Sequence, residues 1–207
     1  MYAIVDLDAL GEHDPLLFAR AVLSAGRLSA LQLRAKTHGA RRVLSIGTQL
    51  RGLCAAASVP FVMNDRPDLA AIVGADMVHV GQDDLPVGIA RALAPACAVG
   101  VSTHSDAQLD EALALRPAYV AIGPVYRTRT KERPDPVVGV DTFAARAARA
   151  ARVGIPAVAI GGIDLAGARA LREAGARSAA VIAAILEAGP DAWTIRAREI
   201  HRALGGG

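Results

Sequence analysis

Two aspartates that follow short apolar segments are the residues best suited to bind a divalent cation. Asp65 lies in Asn64-Asp65-Arg66, and Asp84 ends Gly81-Gln82-Asp83-Asp84. Carboxylate oxygens are hard ligands, and Mg²⁺ commonly takes one or two of them together with substrate phosphates. A helix cap or a solvated turn would explain either aspartate alone. The pair, on neighbouring loops, predicts a site for Mg²⁺.

The lysines of the chain point to the same chemistry. Of 23 basic residues only Lys36 and Lys131 are lysines, and all others are arginines. An ammonium is a compact point charge, whereas a guanidinium is a planar fork. Both lysines follow predicted strands, so we expect them to bind anions. Arg34, Lys36 and Lys131 would neutralise phosphate charge, while Asn64 would orient a phosphate oxygen.

Other chemistry-bearing residues are less specific. Gly161-Gly162 precedes a short helix, where backbone amides can approach a phosphate closely, although such a pair also makes tight turns. His79 and His104 each allow two interpretations, a general base or a hydrogen-bonded structural histidine. The sequence shows neither zinc-ligand spacing nor a nucleophile elbow or Walker pattern.

Short apolar runs that alternate with amphipathic, alanine-rich stretches must position these residues. The predicted strands are Tyr2–Val5, Leu28–Leu33, Phe61–Met63, Met77–Val80, Ala98–Val101, Tyr119–Ile122, Ala157–Ile160 and Ala179–Ile182. Such alternation is typical of a parallel α/β sheet, and eight units ending in a helix favour a (β/α)8 TIM barrel over a doubly wound sheet. We therefore predict one barrel domain over residues 1–207, with the polar strand ends gathered on one face.

Composition narrows the class of protein. Hydrophobic residues make up 53% and charged residues 21%, which favours a globular fold over disorder. The net charge of +3 is not concentrated in any segment, so we expect no nucleic-acid partner. The start of the chain has neither a basic segment nor a long apolar run, so we expect no membrane partner and a cytoplasmic location. Cys54 and Cys97 are predicted to be buried thiols. The sequence leaves a homo-oligomer open.

Six short segments, in order along the chain, resemble one family. They are Gln32-Leu33-Arg34-x-Lys36, Asn64-Asp65-Arg66, Gly81-Gln82-x-Asp84, Gly100-Val101-Ser102, Gly123-Pro124-Val125-Tyr126-x-Thr128-x-Thr130-Lys131 and Ala159-Ile160-Gly161-Gly162-Ile163. On these segments the chain resembles thiamine-phosphate synthases over nearly its whole length. The resemblance implies a Mg²⁺-dependent transferase that joins a pyrimidine diphosphate to a thiazole phosphate, by a dissociative mechanism, and releases pyrophosphate and thiamine phosphate.

The resemblance also implies roles for individual residues. The residues implied to hold the pyrimidine diphosphate are Gln32, Arg34, Lys36, Asn64, Ser102 and Lys131. Those implied to hold the thiazole phosphate are Thr128, Thr130, Gly162, Ile182 and Ala183. The catalytic set implied is Arg34, Lys36, Ser102 and Lys131, and the implied Mg²⁺ ligands are Asp65 and Asp84.

Departures from the family pattern leave two alternatives open. Ala35 stands where the family usually carries Glu, and Ala183 replaces a usual serine, so that a hydroxyl is missing. Arg127 or Arg129 would compensate at the thiazole phosphate. The alternatives are a thiazole tautomerase-like isomerase of the same barrel and a non-catalytic paralogue that binds precursors. An isomerase would not need the carboxylates and lysines together, which favours the transferase.

Overall fold

A ring of eight parallel strands forms the centre of the molecule in a computed structural model, which describes residues 1–128 and 135–206. The strands are β1 (Tyr2–Asp6), β2 (Ala30–Arg34), β3 (Phe61–Asn64), β4 (Met77–Val80), β5 (Ala98–Thr103), β6 (Tyr119–Ile122), β7 (Ala157–Ala159) and β8 (Ala180–Val181). They pair in the order β7-β6-β5-β4-β3-β2-β1-β8. A bridge between Ala159 and Ala179 joins the two remaining edges. The predicted barrel is thereby confirmed, and the open sheet is excluded.

Helices follow the strands and cover the outside of the ring. They are α1 (Leu7–Leu10), α2 (Pro15–Leu23), α3 (Ala40–Ala56), α4 (Pro67–Val73), α5 (Val87–Leu93), α6 (Asp106–Ala114), α7 (Gly139–Arg152), α8 (Leu165–Glu173), α9 (Ala183–Leu186) and α10 (Trp193–Ala203). Carboxylates cap three of them: Asp6 accepts from the Asp8 and Ala9 N–H groups, Asp14 from the Leu16 N–H, and Asp164 from the Gly167 N–H. Within the described ranges, no helix is long and apolar enough to cross a bilayer.

The predicted bounds of several strands were wrong by one or two residues. Leu28 is buried, but pairing with β1 begins only at Ala30, so its burial reflects core packing and not the strand ladder. The last strand stops at Val181 because Ile182 already leaves the extended region, with ψ −80°. Other strands extend further than predicted, since polar residues such as Asn64 continue the ladder towards the cavity.

Two apolar layers lie inside and outside the ring. The inner layer consists of Tyr2, Ile4, Ala30, Val62, Tyr119, Val158 and Ala180. The larger outer layer lies between strands and helices, where Trp193 packs edge-on against Phe18 at 5.0 Å between ring centroids. Cys54 and Cys97 are buried free thiols, as predicted, and burial raises the pKa of Cys54 to about 12. Successive side chains of each strand point to opposite faces of the sheet. Every second residue therefore points into the ring, first within the inner layer and then at the rim.

Candidate active site

A cavity of about 680 Å³ opens at the carboxyl ends of the strands. The described members of the predicted site that line it are Gln32, Arg34, Lys36, Asn64, Asp65, Asp84, Ser102, Thr128, Gly162, Ile182 and Ala183. Thr130 and Lys131 lie outside the described residues. Barrel closure thus brings segments from seven loops to the rim where active sites of this fold lie. Their individual roles stay predictions.

Lys36 bridges the two carboxylates predicted to bind Mg²⁺. Its Nζ lies 2.5 Å from Asp65 Oδ2 and 3.5 Å from Asp84 Oδ1. Burial, reinforced by Asp84 and opposed by Lys36, raises the pKa of Asp65 to about 6. Burial also opposes ionisation of Asp84, but hydrogen bonds from Asp65 and the Gly81 N–H, with Lys36, hold its pKa below the usual value. The pair therefore holds a proton more tightly than a single exposed aspartate would.

Local backbone geometry fixes both carboxylates. Asp65 has a φ of +61°, in the left-handed region, and its N–H donates to the His79 carbonyl at 2.8 Å. Aspartate is among the few non-glycine residues that adopt this conformation, and such strain concentrates at functional sites. Asp84 Oδ2 accepts from the Gly81 N–H at 2.7 Å. Each carboxylate is thus oriented by the loop that carries it.

The chemistry of this donor set fits a magnesium ion. Asp65 and Asp84 would supply two oxygen ligands, and both already contact the Lys36 ammonium. Among the residues described, no group of three or more His, Cys, Asp or Glu could hold a metal. Two carboxylates are enough for Mg²⁺ when substrate phosphates complete its coordination, whereas a structural zinc site needs four protein ligands.

Two aspartates that position the basic residues were not predicted from the sequence. Asp6 is buried, and its Oδ2 lies 2.7 Å from Arg34 Nη1, its partner in strand register. Asp8 accepts from the Lys36 N–H at 2.9 Å and from the Thr37 hydroxyl. The position of Asp6 at a strand end, like the other rim residues, was the signal that could have found it. These carboxylates fix the loop that carries Lys36.

His79 and His104 line the cavity, and each is hydrogen-bonded to neighbouring residues of the barrel. His79 is buried, and its Nε2 lies 2.8 Å from Ser102 Oγ. Burial lowers the pKa of His79 to about 4, so the imidazole is neutral near pH 7. His104 Nδ1 donates to the Gly123 carbonyl at 2.7 Å, and its Nε2 lies 3.5 Å from Asp135 Oδ2. His79 therefore orients Ser102, and His104 ties β5 to the loop after β6.

Glycines form the opposite wall of the cavity. Gly161 and Gly162 have φ of +99° and +63°, and a Cβ at Gly162 would lie 2.1 Å from the Arg127 carbonyl. Ile182 and Ala183 face the same wall from the end of β8. Two loops can approach each other this closely only because Gly162 has no side chain. Arg127 is exposed and lines the cavity, so its guanidinium can reach an anion there.

A larger cavity of about 1200 Å³ lies at the opposite end of the barrel. Its lining includes Ala144, Ala147, Ala148 and Ala151 of α7 and the residues that precede the strands. Size alone would favour this cavity, but the carboxylates and Lys36 line the smaller one. In this fold the amino-terminal face serves stability, so we assign the candidate site to the smaller cavity.

Comparisons with known proteins agree on one family. The family profile described as thiamine monophosphate synthase matches residues 1–185. A thiamine-phosphate synthase of Koribacter versatilis (strain Ellin345) is 42% identical over 191 residues, covering 90% of this chain and 88% of that protein. One of Chloroflexus aurantiacus is 40% identical over 185 residues, covering 88% and 83%.

Solved structures share the barrel, and one that is 30% identical carries the family's name. A thiamine phosphate pyrophosphorylase from Pyrococcus furiosus superimposes with a TM-score of 0.85 at 30% identity, covering 98% of this chain and 94% of that one. A 3-hexulose-6-phosphate synthase superimposes with a TM-score of 0.65 at 20% identity, covering 99% of each chain. The second likeness shows the shared barrel and nothing about activity.

Proposed function

Because the chain belongs to the thiamine monophosphate synthase family, we propose that it joins 4-amino-2-methyl-5-(diphosphooxymethyl)pyrimidine to thiazole phosphate in a Mg²⁺-assisted reaction. The products are thiamine phosphate and pyrophosphate. The protein is a transferase, like the relatives it resembles. The observation that carries the finer proposal is the convergence of Asp65, Asp84, Lys36 and Arg34 in one cavity.

The basic residues of the cavity supply the positive charge that stabilises pyrophosphate as it leaves. Charge builds on the leaving group as the bond to the pyrimidine methylene breaks, and fixed cations stabilise that charge most effectively. Arg34 is held at the rim by Asp6, so little reorganisation of its guanidinium is needed. Lys36 lies 2.5 Å from Asp65, and Mg²⁺ bound by that carboxylate would free the ammonium for the phosphate. Lys131 is proposed to join them. Asp65 and Asp84 would hold Mg²⁺, which when bound supplies Lewis-acid stabilisation of the diphosphate.

The thiazole phosphate is proposed to bind at the glycine wall. Gly162 and Ala183 offer backbone N–H groups, and Thr128 and Thr130 offer hydroxyls. Gly162, Ala183 and Thr128 line the same cavity as the carboxylates, which supports placing both substrates there. The thiazole nitrogen would attack the pyrimidine methylene after pyrophosphate has left, so no protein nucleophile is required.

The test is incubation of the purified protein with both phosphorylated halves and Mg²⁺, followed by detection of thiamine phosphate as its fluorescent oxidation product. We expect product with Mg²⁺ and none with EDTA. Asp84→Asn, which keeps the shape of the side chain and removes its charge, should lower the yield of product, and Asp83→Asn is the matched control. Isomerisation of a thiazole that persists in EDTA would favour the tautomerase-like alternative and contradict the proposal. Binding of both substrates without product would favour the non-catalytic paralogue.

A further inference from the structure

A continuous chain of hydrogen bonds crosses the inside of the barrel and borders the candidate site. Gln32 Nε2 donates to the Tyr2 hydroxyl at 3.2 Å, and the hydroxyls of Tyr2 and Tyr119 lie 2.9 Å apart. The Tyr119 hydroxyl lies 2.9 Å from His79 Nδ1, and His79 Nε2 lies 2.8 Å from Ser102 Oγ. All five residues line the cavity, and Gln32 and Ser102 are the two ends of the chain.

The surroundings hold this chain in place. Gln32, Tyr2, Tyr119 and His79 are each at most 6% exposed. The His79 ring stacks on Tyr119 with centroids 5.5 Å apart and an interplanar angle of 17°. A Cβ at Gly100 would come within 2.1 Å of Tyr119 Cζ, so β5 leaves room for the phenol only by having glycine there. Such packing leaves each polar atom few alternative partners.

The donors of this chain follow one of two orders, and in the first order the Gln32 amide nitrogen donates. Gln32 donates to Tyr2, so the Tyr2 proton is available for Tyr119, and the Tyr119 proton for His79 Nδ1. A neutral imidazole that accepts at Nδ1 donates from Nε2, here to Ser102 Oγ. Every buried proton then has an acceptor. In this order the Ser102 hydroxyl is left to donate to a ligand in the cavity, and the Gln32 carbonyl oxygen is left to accept from one.

Turning the Gln32 amide would reverse every bond of the chain. Tyr2 would then donate to the Gln32 carbonyl, and Ser102 would donate to His79, leaving only lone pairs at Ser102 for a ligand. In both orders one end offers a donor and the other an acceptor. The hydrogen-bonding role of Gln32 therefore determines that of Ser102, although the two residues belong to different strands, β2 and β5.

We propose that Tyr2, Tyr119 and His79 are positioning residues that couple Gln32 to Ser102, so that the cavity presents one acceptor and one donor to a flat ring. The inference rests on the proposed function, in which the ligand at this place is an aminopyrimidine. Such a ring offers an amino donor and a ring-nitrogen acceptor. The three residues act through Gln32 and Ser102 and contribute to ring binding, not to diphosphate binding.

Removing one hydroxyl from the middle of the chain tests the coupling. Tyr119→Phe keeps the ring that stacks on His79 and breaks two hydrogen bonds. We expect the KM for the pyrimidine diphosphate to rise about fivefold to tenfold, since a buried hydrogen bond contributes roughly 1 kcal/mol. The Kd for pyrophosphate with Mg²⁺, measured by calorimetry, should change less than about twofold. Tyr126→Phe is the matched control, because Tyr126 is the remaining tyrosine and is not part of the chain.

A double-mutant cycle adds a readout that a merely structural role would not move. In Ser102→Ala, removal of the Tyr119 hydroxyl should raise the KM by less than it does in the wild type, because one end of the chain is already lost. Tyr126→Phe should give multiplicative effects in the same background. If Tyr119→Phe does not fold by circular dichroism, Tyr2→Phe replaces it in both measurements.

The outcomes separate this inference from the proposed function. A wild type that turns over, with Tyr119→Phe indistinguishable from Tyr126→Phe, overturns the coupling alone. A wild type that binds the pyrimidine diphosphate without turnover overturns the proposed function, and the same comparison is then made on Kd. Equal losses for the pyrimidine diphosphate and for pyrophosphate would show a general structural effect and overturn the inference.

Discussion

Lys36 Nζ lies 2.5 Å from Asp65 Oδ2, so the ammonium of one loop neutralises the carboxylate of the next. Burial disfavours the ammonium, but Asp65 and Asp84 outweigh that cost and raise the pKa of Lys36. The pair ties β2 to β3 at the rim of the cavity. A bound cation would compete with Lys36 for the same oxygens and release the ammonium towards a phosphate.

Asp84→Asn should weaken binding of pyrophosphate in the presence of Mg²⁺ by at least about tenfold, because a charged metal ligand is lost. Isothermal titration calorimetry with and without Mg²⁺ measures the effect. Asp83→Asn is the matched control, as the adjacent carboxylate is not bonded to Lys36, and should change the affinity less than about twofold. Equal losses in the two variants would remove Asp84 from the metal site.

Metal affinity should depend on pH through Asp65. Burial raises its pKa to about 6. Below that pH a proton competes with the metal, and above it the carboxylate is ionised and can bind the metal. We expect Mn²⁺ affinity, measured by electron paramagnetic resonance, to be level from about pH 7 to 8 and to fall roughly fivefold from pH 6 to 5. Asp65→Asn should bind weakly with a flatter profile. An affinity that is unchanged at pH 5 in the wild type would contradict the assignment.

Gly162→Ala should raise the KM for thiazole phosphate by about tenfold or more, since its Cβ would lie 2.1 Å from the Arg127 carbonyl and push two loops apart. Gly175→Ala is the control, because Gly175 also has a positive φ of +85° but has open space around the Cβ position. That control should lose only about 1 kcal/mol of stability and keep its KM. Steady-state kinetics and thermal unfolding distinguish the two effects.

Arg127→Ala should raise the KM for thiazole phosphate about fivefold or more if its guanidinium replaces the missing hydroxyl at Ala183. Restoring that hydroxyl with Ala183→Ser should recover part of the loss in the double variant. The control is Arg116→Ala, since Arg116 does not line the cavity. An unchanged KM in Arg127→Ala would leave the phosphate to backbone groups alone.

Lys131→Ala should lower kcat for coupling by roughly tenfold or more, because a partner of the developing charge is lost. Single-turnover measurement of pyrophosphate release isolates the chemical step. Lys131→Arg serves as the comparison, since it keeps the charge but changes the geometry. A rate constant that is unaltered in Lys131→Ala would exclude Lys131 from the reaction.

The order of elements and most of the rim were predictable from local patterns. Short apolar runs such as Met77–Val80 and Tyr119–Ile122 match the observed strands because burial on both faces selects such runs. Polar residues that follow the strands identify the rim of the cavity, because the carboxyl ends of all parallel strands lie on the same face of the barrel. The rest depends on long-range packing: Tyr2 and Tyr119 are 117 residues apart and resemble ordinary core residues in the sequence.

The scarcity of lysine has a practical consequence. Apart from the α-amino group, the primary amines of this chain are those of Lys36 and Lys131, and 45% of the Lys36 side chain is accessible to solvent. An amine-selective reagent can therefore attach to few positions, and both side-chain targets belong to the set proposed to bind the diphosphate. The extent of labelling at the two lysines, measured by mass spectrometry, therefore reports how much of the protein has ligand bound, without an engineered reporter.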